Sequence, residues 1–232
     1  MISVVCVYDD RETLETCLLQ GLKAQMTECD LVLVDNTESR FKSAAQALNY
    51  GGGKAKGDYV VFAHQDMVLG SESSLNEIAK TLDQLPDLGI AGAAGCAEGV
   101  LGTLSNTSHG TPPRPAGTAG TITAPTKVQT LDECLTIVPK DVFGTLKFDE
   151  EACDGWHLYA VEYSLSVKML GLSAYVVPIT AYHKSTGGSL QADYYKTLKR
   201  VLTKHRNHQR KIFTTCGVWD THTPLMLQRF AK

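Results

Sequence analysis

The run YVVFAHQDMVLG at positions 59–70 sets an imidazole and a carboxylate, His64 and Asp66, directly behind a stretch that reads as a buried strand. Histidine and aspartate two residues apart can ligate a divalent cation, and they also suit an ordinary polar turn. Three more apolar runs end in the same manner, on Tyr8-Asp9-Asp10, on Asp35-Asn36 and on His183. In an open α/β sheet, ligands sit outside the carboxyl ends of the strands, so adjacent strands with these endings would gather one polar cluster. The convergence carries the argument, because Asp9 or Asp35 alone suits a helix cap or turn.

The elements that would hold these residues alternate in type. ISVVCVY (2–8), LVLVD (31–35), YVVFA (59–63), LGIAGAAG (88–95) and YVVPITAYH (175–183) read as strands, and VQTLDECLTIVP (128–139) as a strand pair or one bent strand. Helical spacing places Leu14, Cys17, Leu18 and Leu22 on one face, and Leu75, Ile78, Leu82 and Leu85 on another. Further helices are expected over 43–54, over 156–170 closed by Gly171, and over the tyrosine-rich basic segment 193–208. Strands alternating with helices predict an α/β fold with a mainly parallel central sheet flanked by helices. Between Gly102 and Lys127, prolines among Gly, Ser and Thr predict a long loop, or a loop around a short hairpin.

Composition narrows the class. A chain of 232 residues with 43% hydrophobic and 20% charged residues can bury a sizeable core. The net charge of -3 gives no drive toward nucleic acid, and neither a basic leader nor a long apolar span is present, so a soluble cytoplasmic protein is expected. Seven scattered cysteines without a C-x-x-C pair read as reduced thiols, which makes the Asn106-Thr107-Ser108 sequon incidental. GGGKAKG (51–57) lacks the phosphate-loop order and no G-x-G-x-x-G opens a helix, which disfavours P-loop and dinucleotide enzymes.

The series SVVCVYDD, LVLVDNTES, ALNYGGGKAKGDYVVFAHQD and VQTLDECLTIVPKDVFGTLKFDEE resembles the family 2 glycosyltransferases of the GT-A fold. HQD, DGWHLY and YHKSTGGSL together resemble the domain named after the streptomycin biosynthesis protein StrF. The resemblance implies a nucleotide-sugar domain over 1–190, with 191–232 as a C-terminal helical appendage. It implies that Val7, Tyr8, Asp9 and Asp35 hold the base and ribose, and that Asn49, Lys54 and Gln65 lie near the diphosphate. Asp66 matches the metal-binding carboxylate, His64 replaces the first aspartate of Asp-x-Asp, and His183 matches a late histidine able to reach the same ion. Imidazole ligands tilt the preference from Mg²⁺ toward Mn²⁺.

Acid–base chemistry is where the sequence departs from the family. Alignment on Leu170-Gly171 puts Tyr159-Ala160 where relatives carry Glu-Asp, so Asp154 becomes the candidate general base, followed by Glu162 and Asp132. The expected partners are a nucleotide-diphosphate sugar and a glycan, small-molecule or lipid-linked acceptor. The basic helix, with Lys196, Lys199, Arg200, Lys204 and Arg206, could also meet an anionic membrane. Two rival readings are a sugar-nucleotide-binding protein without transfer activity and a nucleotidyltransferase. The latter would need a Gly-rich turn where the chain has VYDDRET.

Overall fold

A computed structural model of the chain describes residues 1–25, 28–70, 75–185 and 190–229. Its centre is a seven-stranded sheet in the order Thr126–Val128, Ser173–Val176, Leu88–Gly92, Leu135–Pro139, Tyr59–Ala63, Ile2–Tyr8, Asp30–Asp35. Five strands point the same way; Leu135–Pro139 and Thr126–Val128 run against them. Strand side chains alternate between faces, and here both faces are apolar. On the first strand Val5 joins one core cluster, while Ile2, Val4, Cys6 and Tyr8 join the other. Helices Ala44–Lys54, Tyr159–Met169 and Ala192–His205 cover the Val5 face. The helical segments Arg11–Leu14, Glu15–Leu19 (a π-helical turn) and Gln20–Ala24, with helix Leu75–Leu82, cover the opposite face.

Helix Ala44–Lys54 starts on Ser43, whose hydroxyl accepts the Gln46 N–H at 3.3 Å, and it lies close to the sheet because of its glycines. A Cβ on Gly51 would fall 2.5 Å from Val5 Cγ1, and one on Gly52 would fall 2.5 Å from the Phe143 ring and 3.0 Å from Phe62. GGGK is therefore a packing surface. Gly52→Ala is expected to lower stability by about 1–3 kcal/mol, the usual cost of overfilling a packed core. Urea unfolding with an unchanged slope and a lowered midpoint would show it; an unchanged midpoint would contradict the packing role.

Several elements are shorter than the sequence pattern suggests. The run 88–95 divides, because Leu88–Gly92 stays in the main sheet while Ala94–Cys96 pairs with Thr130–Leu131 and Leu104–Ser105. The run 175–183 divides around Pro178, which has no N–H for a ladder; Ala181–His183 pairs with Met67–Leu69 in a separate sheet. The helix expected from 156 begins at Tyr159, because Leu158 takes a left-handed conformation at φ 65°. Between Gly102 and Lys127 the chain forms short pairings, among them Ser108–His109 with Arg114–Pro115. Asn106 is engaged there: its side chain donates to Ile122 O and accepts from Ile122 N–H.

Past helix Ala192–His205 the chain adds a hairpin, Lys211–Thr214 with Gly217–Asp220, turned at Gly217 (φ 144°). Ile212 and Trp219 of this hairpin sit in the same core cluster as Val5 and Phe62. Gln129 ties it to the main body by accepting from Phe213 N–H at 2.7 Å and donating to Lys211 O at 2.9 Å. All seven cysteines are free thiols; burial pushes Cys6 and Cys96 up to about 12, so both stay protonated near neutral pH. Among the described residues, no helix is long and apolar enough to cross a membrane.

Candidate active site

Strand direction assembles the site. Tyr8, Asp35 and Ala63 end three same-way strands at one edge of the sheet, and Leu135 starts an antiparallel strand at that edge, paired with Ala63. The residues following the first three and preceding Leu135 therefore meet around a cleft of about 1640 Å³. The backbone bond from His64 N to Cys134 O sets Asp132-Glu133-Cys134 against His64-Gln65-Asp66.

A small sheet supplies the remaining imidazole. His183 pairs with Met67, the residue after Asp66, so the register brings His183 Nε2 to 3.2 Å from Asp66 Oδ1. His64, Asp66 and His183 each present a ligand atom, all within 4.8 Å of one another, and the two imidazole rings lie 5.4 Å apart. Asp66 Oδ2 accepts the Ser185 N–H at 3.1 Å. Burial works against ionisation of Asp66, but the close His183 imidazole holds its carboxyl below the usual range. Burial, then His183, pulls His64 down to about 4, so its ring is neutral near pH 7 and keeps a lone pair. His64 Nε2 lies 2.8 Å from the Tyr159 hydroxyl, which donates to Glu133 O at 3.3 Å. With the Tyr159 proton directed at Glu133 O, the matching His64 tautomer is the one that donates from Nε2–H and keeps the lone pair on Nδ1.

Gln65 links the first strand to this cluster. Its Oε1 accepts the N–H groups of Asp9 and Asp10, both at 3.0 Å, and its Nε2 donates to Asp9 Oδ1 at 2.6 Å. Asp10 is a helix cap, accepting from Glu12 and Thr13 N–H groups. Tyr8 donates to Asp35 Oδ2 at 2.7 Å, and Asp35 Oδ1 accepts from Thr37. Val7, Tyr8, Asp9, His64, Gln65, Asp66, Asp132 and His183 all line the cleft. So does Trp156, a residue that is 43% exposed rather than buried in the core.

Other candidates lie outside the cleft lining. Asn49, expected near the diphosphate, donates instead to Phe148 O and Glu150 Oε1, both at 2.9 Å, and fixes that loop. Lys54, expected beside it, bonds the Tyr50 hydroxyl at 2.7 Å and covers the Tyr50 ring. Asp35 is exposed and accepts the Tyr8 hydroxyl without itself lining the cleft. Asp154, the leading base candidate, pairs with Lys196 and Arg200 on the outer side. Glu162 is buried against Lys204, Ser166 and His205. Of the three acids considered for proton transfer, Asp132 alone lines the cleft. Asp154→Asn is expected to leave donor consumption within about threefold of the native protein, since a base must reach the proton it removes. The lost exposed ion pairs should cost about 0–1 kcal/mol. A single-turnover assay showing a loss of 10² or more would restore Asp154 as the base.

Sequence reasoning overlooked Glu133, which lines the cleft next to Asp132. Its position in DEC, just before a strand, was the available signal. The final part of YHKSTGGSL, residues 186–189, lies outside the described residues.

The sheet order and its edge cleft define the α/β architecture of the GT-A glycosyltransferases. Residues 3–205 match the sequence model of the Glycosyltransferase like family, and the chain belongs to that family. No curated protein matches the chain by sequence. Among solved structures, GalNAc-T7 with UDP, GalNAc and Mn²⁺ is similar at a TM-score of 0.61 and 13% identity, over 88% of this chain and 48% of that one. TarS residues 1–349 of S. aureus with UDP-GlcNAc gives 0.60 and 15%, over 89% and 66%. The mannosyltransferase PcManGT from Pyrobaculum calidifontis with GDP-Man and Mn²⁺ gives 0.60 and 14%, over 90% and 64%. The chain thus spans about half to two thirds of the length of these structures.

Proposed function

We propose that the chain binds a nucleotide-diphosphate sugar in the edge cleft and transfers the sugar, with inversion, to an acceptor hydroxyl. The observation that carries this reading is the strand register setting Asp66 against His183 beside the ends of the same-way strands. Family membership and the nucleotide-sugar complexes of the similar structures support it. The motif order HQD, DGWHLY, YHK favours the StrF-type branch of that family.

The donor set suits a divalent cation: one ionised carboxylate, one neutral imidazole, and a second imidazole nitrogen, His183 Nε2, that is buried without an aligned hydrogen bond. Asp66, His64 and His183 would hold it, and two imidazoles favour Mn²⁺ over Mg²⁺. When bound, the ion supplies Lewis-acid neutralisation of the charge that grows on the diphosphate. Gln65 keeps Asp9 and the end of the first strand in place, where Val7, Tyr8 and Asp9 would hold the nucleoside. Trp156 offers an apolar face for a sugar ring.

Ala160 favours the second reading, a protein that binds the donor without transferring it, because no carboxylate stands at that buried position. A panel of UDP- and GDP-sugars with Mn²⁺, offered glycan, small-molecule and lipid-linked acceptors, separates the two. A glycosylated product supports transfer; tight donor binding without product or hydrolysis supports the binder. We place the protein in the cytoplasm. Membrane contact through helix Ala192–His205 would draw on Lys199 together with Arg206 beyond its end, since Lys196, Arg200 and Lys204 are bonded to Asp154, Asp149 and Glu162.

A further inference from the structure

We propose that Glu133 is the general base that takes the proton from the acceptor hydroxyl, an inference that rests on the donor reading above. The cleft needs a carboxylate that is not already committed. Asp132 is engaged through both oxygens: Oδ1 accepts the Cys134 N–H at 3.1 Å and Oδ2 accepts the Thr215 hydroxyl at 2.8 Å. Asp9 is held by Gln65 at 2.6 Å, and Asp66 belongs to the metal cluster. Glu133 differs, because its Oε1 is buried and has no hydrogen-bond partner among the described residues.

A buried carboxylate oxygen without a partner costs free energy, so its retention calls for a physical reason. Leu158 adopts φ 65°, an uncommon conformation for a residue with a branched side chain, and it opens helix Tyr159–Met169. The N–H groups of Leu158 and Tyr159 favour the ionised form of the Glu133 carboxyl, and the Tyr159 hydroxyl donates to the Glu133 carbonyl at 3.3 Å. That same hydroxyl is 2.8 Å from His64 Nε2, so the base and the metal cluster are fixed to one another through one tyrosine. Burial, then Asp132, pushes the Glu133 carboxyl up to about 8, although the two N–H groups oppose this. At about 8 the carboxyl is mostly protonated at pH 7 and gains its base form as pH rises through 8, and the carboxylate holds a proton well once it accepts one.

The step balances without a co-reactant. The acceptor oxygen forms a bond to the anomeric carbon as the bond from that carbon to the diphosphate oxygen breaks. The bonding pair leaves with the diphosphate, and the acceptor proton passes to Glu133.

The test uses the full chain with Mn²⁺ and a panel of UDP- and GDP-sugars. Calorimetry measures donor binding by the native protein and Glu133→Gln, a near-isosteric change that keeps an acceptor for the helix N–H groups. Single-turnover reactions then follow donor loss to water, which must shed a proton, and to azide, which has none to shed. The expected result is donor affinity within about twofold, hydrolysis reduced by roughly 10²- to 10⁴-fold, and glycosyl azide formation within a few-fold of the native rate. Hydrolysis within about threefold of native overturns the assignment, as does an equal fall with water and azide, which marks a structural role. If the native protein binds none of the nucleotide sugars, the donor reading itself fails and Glu133 falls with it. Should Glu133→Gln melt early, Glu133→Asp is run in the same assays, and it must retain more hydrolysis than the glutamine variant.

Discussion

Asp66→Ala is expected to lower Mn²⁺-dependent affinity for a nucleotide diphosphate by at least about 10-fold, or 1.4 kcal/mol, and to slow donor consumption by roughly 10²- to 10³-fold. Register sets the site: His183 opposite Met67 leaves Asp66 as the carboxylate beside both imidazoles. Removing it leaves two imidazole ligands and no anionic one, a poor site for a hard cation. Asp66 also has a backbone duty, accepting the Ser185 N–H, so Asp66→Asn serves as the control that keeps an oxygen for that bond. Both variants should lose the metal-dependent part of binding while the asparagine protein melts near the native temperature. Titration calorimetry in Mn²⁺ and in chelator reads the effect; equal native affinity in the two buffers would refute metal-assisted binding.

Glu162→Ala is expected to act on stability instead. Its side chain is 1% exposed and accepts from Lys204 Nζ at 2.5 Å and Ser166 Oγ at 2.6 Å, with His205 Nε2 at 3.4 Å. Burial pushes its carboxyl up, but the hydrogen bonds of His205, Lys204 and Ser166 prevail and hold it below the usual range. Breaking a buried pair commonly costs 3–5 kcal/mol; Lys204 is 36% exposed and keeps Asp149, so about 2–3 kcal/mol is the discounted expectation. For a chain of this size that lowers the melting temperature by roughly 5–10 °C. A depressed folded pKa contributes stability above the unfolded value, about 4.3 for glutamate, and that contribution fades as pH falls through the folded value. The gap between native and variant should therefore narrow below about pH 4. A variant that melts like the native protein but loses donor turnover would make Glu162 catalytic after all.

What the sequence revealed divides along physical lines. Strands Ile2–Tyr8, Asp30–Asp35 and Tyr59–Ala63 were legible because Val, Ile and Phe fill runs bounded by polar residues, and such endings also exposed His64, Asp66 and His183. The outcome at 175–183 was less direct: His183 reaches the site, but by leaving the main sheet at Pro178 and joining Met67–Leu69. Asn49 and Asp154 were ambiguous because a polar side chain on a helix or loop reads the same whether it faces a ligand or bonds its own neighbours, as both do here. The hairpin Lys211–Asp220 went unread, its four-residue strands being too short to show a period. Glu133 had one local mark, its place in DEC just before a strand. What singles it out, a buried oxygen without a partner among the described residues, belongs to the tertiary structure.

Crystals grown with Mn²⁺ and a nucleotide diphosphate, measured at the manganese absorption edge, test the central claim most directly. The account expects one anomalous peak between His64, Asp66 and His183, within about 2.0–2.3 Å of their ligand atoms, with the diphosphate on the cleft side of the ion and the base against Val7 and Tyr8. Nucleotide density in the cleft with no manganese at these three residues, or manganese there with the nucleotide bound elsewhere, would contradict it.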